Sequence, residues 1–175
     1  MGIDIKTIVI GLLLMGILFM ISRSKLPHGD AKNRVIRVHS KMPSSITKKN
    51  KTIQNSLIDL ATSKIGSPYV YAKTGPDSFD CSGFVYYLFS QHNITIPRTS
   101  LAQSKIGKKL TREALQKGDI LFFDTSGKGH INHSGVYIGE DRFIHASSGK
   151  AKSVTISSLN AWYKDKFRWG IRKMP

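Results

Sequence analysis

Three side chains in this sequence could together run nucleophilic acyl chemistry: Cys81, His133 and His145. A cysteine thiolate attacks a carbonyl, a histidine protonates the leaving amine, and a water activated by the same histidine then frees the acyl-enzyme. Cys81 is the only cysteine in the chain, so no intramolecular disulfide can form. It lies in Ser78-Phe79-Asp80-Cys81-Ser82-Gly83-Phe84, ahead of the apolar run Val85-Tyr86-Tyr87-Leu88-Phe89. Phe84, Val85, Leu88 and Phe89 recur at the spacing of a helix packed on one face. Asp80 or Ser82 can cap that helix. Cys81 is therefore expected at or near a helix N-terminus, where backbone N–H groups and the macrodipole favour thiolate over thiol. The ordinary fate of a lone cysteine is a small buried hydrophobe. The histidines decide between the two, because a nucleophile needs a base and the base needs an orienter.

His133 opens an alternating segment that runs through Gly135 and Tyr137, and His145 lies between apolar Ile144 and Ala146. A structural histidine is the competing reading at both positions. His130, set among Gly127, Lys128 and Gly129, belongs to a loop and is assigned no role. Geometry raises a difficulty. A tight turn at Glu140-Asp141 pairs Gly139 with Arg142 and sets His133 opposite Ser148 rather than near His145. Bringing the rings together requires a bulge or strong coiling of the hairpin.

The elements that must position these residues change period along the chain. Ile53, Leu57, Leu60, Ala61 and Ile65 predict a helix over 52–65, ended by Gly66. Ser67 to Ala72 is a loop or short extended piece, leading through Gly75-Pro76 to the cysteine. Pro97-Arg98-Thr99-Ser100 opens a short helix closing near Gly107, and Thr111 to Leu115 is one helical turn. Short strands follow at Asp119–Phe123, His133–Gly139, Arg142–Ala146, Ser153–Ile156 and about Phe167–Arg172. Helices followed by an antiparallel meander give an α+β fold.

Thr7 to Ser22 is a run of 16 residues without charge. That lies between a secretory core of about 7–15 residues and the roughly 17 needed to span a bilayer. With no Ala-x-Ala site after it, residues 1–23 read as an uncleaved signal anchor, with a cleaved signal as the alternative. The basic residues that follow the run argue for the opposite orientation. Residues 24–50, with Pro27, Gly29 and Pro43 in a basic, Ser-rich mixture, are expected to be a linker, and residues 51–175 the main domain. A net charge of +16 calls for a polyanionic neighbour, either an anionic wall polymer or a membrane surface. The basic residues are scattered and no recognition motif occurs, which disfavours nucleic acid. No Cys pair, Cys-His spacing or Gly-rich phosphate loop is present, so no metal and no cofactor is expected.

Six fragments carry a resemblance. Pro68-Tyr69, Phe79 to Phe84, Pro97 to Ser100, Gly118 to Phe123, His133 to Gly139 and Phe143 to Ala146 occur in the order seen in the NlpC-type cell-wall cysteine peptidases. The similarity extends over about residues 52–172. It implies a papain-like α+β fold with the nucleophile helix packed on a small antiparallel sheet. It further implies hydrolysis of peptidoglycan stem peptides, commonly between D-γ-glutamate and a diamino acid, outside the cytoplasm. Carried across by position, Cys81 is the nucleophile, His133 the base and His145 its orienter. Tyr69 matches a tyrosine near the oxyanion position, and Asp80 and Ser82 flank the nucleophile as oxyanion or substrate-binding candidates. A monomer is expected. One departure stands out: members usually carry a Gly pair shortly after Pro-Tyr, where this chain has Tyr71-Ala72-Lys73. Other readings are a catalytically silent wall-binding module, a secreted papain-like effector with another amide substrate, and a basic nucleic-acid binder.

Overall fold

The protein is described by a computed structural model, which covers residues 44–174. The expected anchor over residues 1–23 and the linker up to residue 43 lie outside the described residues. Among the described residues no helix is long and apolar enough to cross a membrane.

Helix α1 spans Ser44–Ser63, beginning eight residues before the apolar stripe predicts. Its first turns carry Lys48, Lys49 and Lys51, which favour helix but bury nothing, so no periodicity announces them. The stripe itself sets Leu57 and Ala61 into the core. Helix α2 spans Cys81–Ser90 and buries Phe84, Val85, Leu88 and Phe89, the expected face. Helix α3 is only Ser100–Gln103, shorter than expected, and Arg112–Ala114 forms a 3-10 turn.

Five strands make one antiparallel sheet: β1 Ile120–Phe123, β2 His133–Gly139, β3 Arg142–Ala146, β4 Val154–Ser158 and β5 Phe167–Ile171. Their spatial order is β4-β3-β2-β1-β5. The meander holds from β1 to β4, and β5 then returns to the far side of β1. Strand β1 is thus flanked on both sides, by β2 and β5, and covered on both faces, which explains why all four of its residues are buried. One face of the sheet packs Ile120, Phe122, Val136, Ile144 and Ala146 against α1 and α2. The other face gathers Leu121, Phe123, Phe143 and Leu159 beneath the segment leading into β5.

The hairpin between β2 and β3 turns on Glu140 and Asp141, both at φ +53°. Two consecutive left-handed residues are what a two-residue hairpin turn requires. Gly139 pairs with Arg142 as expected, but the register shifts before Tyr137, which pairs with Phe143. The extra residue, Ile138, is a bulge. It moves every pairing beyond it by one place and so exchanges the faces.

Candidate active site

Cys81 is the first residue of α2, and Asp80 is its N-cap. The Asp80 carboxylate accepts from the Gly83 backbone N–H at 2.7 Å and from Arg98 Nη1 at 3.0 Å. Ser82 Oγ donates to Asp80 and accepts from Arg98 Nη1. Gly83 is demanded by a close approach: a Cβ there would sit 2.0 Å from the Lys73 carbonyl oxygen. The loop before the cysteine is thus latched onto the helix start, with Asp80 N–H donating to that same Lys73 oxygen at 2.9 Å.

The Cys81 sulfur lies 3.9 Å from the Asn132 carbonyl oxygen. Burial, and then the Asp80 charge, push the thiol up, while backbone N–H groups of Ser82, Ser134 and Cys81 pull it down. The expected preference for thiolate is therefore outweighed at rest, because the helix terminus is half-buried and capped by a carboxylate. Contact with Asn132 on one side and Ser134 on the other places the sulfur against the backbone that carries His133.

His133 Nε2 and His145 Nδ1 are 2.8 Å apart, with the rings perpendicular. The bulge at Ile138 makes this possible. With it, the register that pairs Val136 with Ile144 brings His145 opposite Gly135, on the same face as His133. Without it the rings would point to opposite faces. Gly135 clears the path: a Cβ there would lie 3.0 Å from the His145 Cβ and 2.8 Å from the Phe143 ring. His145 Nε2 in turn meets Ser157 Oγ at 2.9 Å. For His133 Nδ1 to be a free base, Nε2 must carry the proton and donate to His145 Nδ1. His145 Nε2–H then donates to Ser157. One tautomer chain satisfies both ring nitrogens of His145 and Nε2 of His133, and leaves His133 Nδ1 free. Burial lowers His133 to about 4. It also lowers His145 well below its usual value, helped by the neighbouring His133. Both rings rest neutral.

The NlpC/P60 family model matches residues 66–173. The chain belongs to the NlpC/P60 family. It is 39% identical over 123 residues to a γ-D-glutamyl-L-lysine dipeptidyl-peptidase of Bacillus cereus, covering 69% of this chain and 37% of that protein. A crystal structure of an NlpC/P60 family protein from Bacillus cereus superposes with a TM-score of 0.66 at 39% identity, over 70% of this chain and 40% of that one. The NlpC/p60 domain of peptidoglycan hydrolase SagA gives a TM-score of 0.60 at 28% identity, over 68% of this chain and 97% of that domain. This chain therefore spans well under half the length of the dipeptidyl-peptidase, while the domain alone is matched almost end to end. The mixed fold of helices and antiparallel sheet is that of the NlpC/P60 structures.

In this NlpC/P60 domain two cavities flank Cys81 and the paired histidines. One, of about 390 Å³, is lined by Cys81 with Tyr69, Asp80, Ser82, Arg98 and Asn132. The other, of about 560 Å³, is lined by His133 with Ser147, Lys150, Ser157, Trp162 and Tyr163. Tyr69 shares the cysteine cavity, and burial followed by the charges of Cys81 and Asp80 raises its hydroxyl. Asp80 and Ser82 line that cavity too, but their side chains are engaged with Arg98 and the helix start. His130 is exposed in its loop. That loop is fixed from its ends: Asp124 accepts from Gly129 N–H at 2.8 Å, and Asn132 Oδ1 accepts from Thr125 N–H at 2.9 Å.

Ser157, Tyr163 and Gln103 were not indicated by the sequence. Tyr163 stacks on His133 with centroids 5.9 Å apart and meets His145 edge-on at 5.3 Å. Burial pushes its hydroxyl up to about 12, against a hydrogen bond with Ser147 that lowers it. Neither Ser157 nor Tyr163 sits in a motif, and only the folded sheet brings them to the histidines.

Proposed function

We propose that this domain is a cysteine endopeptidase that hydrolyses peptidoglycan stem peptides between D-γ-glutamate and the diamino acid. The observation that carries the reading is the 2.8 Å contact of His133 with His145, set where the Cys81 sulfur meets the backbone on both sides of His133. The names of the relatives, a γ-D-glutamyl-L-lysine dipeptidyl-peptidase and a peptidoglycan hydrolase, support the substrate class.

Both partners rest neutral, so the thiol proton passes to His133 Nδ1 as the sulfur attacks the carbonyl carbon. His145 accepts the hydrogen bond from Nε2–H and stabilises the imidazolium that forms. The Cys81 backbone N–H and the Tyr69 hydroxyl are the donors for the oxyanion, each well-placed donor being worth about 3–4 kcal/mol. Collapse of the tetrahedral species breaks the C–N bond, and the Nδ1 proton goes to the leaving amine. Water then gives a proton back to His133, attacks the thioester and releases the acid and free thiol.

The substrate places the action outside the cytoplasm. Residues 1–23 would hold the domain at the membrane, and a charge of +16 suits an anionic wall polymer or lipid surface. Digestion of purified muropeptides followed by mass spectrometry tests the reading. Fragments ending in D-glutamate with a free γ-linked carboxyl are the expected products, and intact muropeptides after prolonged digestion would refute it. Labelling of Cys81 by a thiol-reactive probe separates an enzyme from a silent wall-binding module.

A further inference from the structure

Among the described residues Gln103, like Ser134, is a polar residue buried at 0% exposure. It ends the four-residue helix α3. Its Nε2 donates to the Ser82 carbonyl at 3.0 Å and to the Pro97 carbonyl at 2.9 Å. Its Oε1 accepts from Ser134 Oγ at 3.1 Å. Two carbonyls on the nitrogen and a hydroxyl on the oxygen fix which way the amide points. Ser82 directly follows the nucleophile, and Ser134 directly follows the base.

We propose that Gln103 is a positioning residue: its amide is the bridge that sets the spacing between the start of the cysteine helix and the start of the histidine strand. Apart from the long contacts of the Cys81 sulfur with the Asn132 and Ser134 backbone, the helix and the strand are joined there by apolar packing, which is not directional, whereas a planar amide with three partners holds both in one relative position. Ser134 is itself buried, and its backbone N–H is one of the groups that favour charge on the Cys81 sulfur. Losing the bridge lets that N–H drift from the sulfur, so the thiol becomes harder to ionise and the imidazole less well aimed. Arg98, five residues earlier, grips the same helix start from the outer side through Asp80 and Ser82. The segment from Pro97 to Gln103 therefore brackets the nucleophile from both sides. Hydropathy conceals the role: Leu101 is 44% exposed while Gln103 is buried.

This inference rests on the peptidase reading, and its test has two independent readouts. Gln103→Met keeps the volume and removes the hydrogen bonds. It should lower kcat for muropeptide hydrolysis by roughly ten- to a hundredfold with KM little changed, as expected when reacting groups are misplaced. It should also shift the pH dependence of Cys81 alkylation to higher pH, a measurement that needs no substrate. A folded Gln103→Met with parental kcat and an unshifted alkylation profile, even if less heat-stable, would overturn the proposal. If that variant does not fold, Ser134→Ala decides by the same two criteria, because it removes only the strand end of the bridge. A shifted alkylation profile in a protein whose parent cleaves no muropeptide would sink the peptidase reading and leave the bridge standing.

Discussion

The two halves of the site are built on opposite physical terms. The cysteine half is ionic and local. Asp80, Ser82 and Gly83 belong to the same stretch as Cys81, and Arg98 closes their network from the next segment. The histidine half is neutral and assembled from afar. His133 and His145 sit among Phe123, Phe143 and Tyr163, with a serine hydroxyl at the end of the chain. The difference teaches where each half is vulnerable: the first to loss of a charge or cap, the second to a change of register or to added protons.

Removing the Cys81 thiol, the proposed nucleophile, breaks the comparison most severely. Cys81→Ala should abolish muropeptide hydrolysis and leave the fold unchanged, because a small half-buried side chain is lost while the Asp80 cap remains. Turnover by that variant would eliminate the cysteine mechanism. Next comes register. Inserting one residue between Gly135 and Val136 keeps the bulge and turns His133 to the face opposite His145, so activity should fall by about 10²–10⁴, the range of a lost general base. His133→Ala should match it, and His130→Ala should leave rates at the parental level.

A milder perturbation addresses the end of the tautomer chain. His145→Asn still accepts from His133 Nε2–H and should retain activity within about tenfold of the parent, while His145→Ala, which cannot accept, should lose about a further tenfold. Equal rates for the two would mean that His145 does not orient His133.

Protons separate the halves by thermodynamics. His133 is depressed to about 4 in the fold and His145 well below 6.5, so the unfolded chain binds more protons between those values. Stability from this pair is complete above about pH 6.5 and is lost as pH falls towards 4. The melting temperature should decline over that window, and His145→Asn should flatten the decline. An unchanged slope would remove His145 as its source. The smallest effect lies in the turn: Glu140→Gly relieves a left-handed non-glycine residue at φ +53° and should raise stability by about 0.5–1 kcal/mol in chemical denaturation with activity intact. A drop in stability there would assign more to the exposed Glu140–Arg142 pair than a surface ion pair ordinarily gives.

The same contrast explains what could be read from the sequence. The α2 face, the pair of residues from which its cap is drawn and the bounds of β2 and β3 were legible because each follows from neighbours a few places away. The need for a bulge was legible from the turn, but not its position, since Ile138 differs in no local way from an ordinary strand residue. Ser157 and Tyr163 escaped because β4 and the segment before β5 carry no signal of what they will face. Gln103 escaped because a polar residue beside Leu101 and Ala102 reads as a solvent position. The start of α1 escaped because its lysines pack against nothing.

The bulge at Ile138 has an arithmetic consequence for inheritance. A two-residue turn without a bulge puts two strand residues on one face only when their separation is odd, and His133 and His145 are twelve apart. Spacing and bulge are therefore one heritable character. A descendant that loses the bulge must at the same stroke move its histidines to an odd separation, which loss of Ile138 alone achieves, whereas a single insertion or deletion elsewhere in the two strands that leaves the bulge in place must be answered by a second. As long as the bulge is kept, length in this hairpin should drift in steps of two even where its residues change freely.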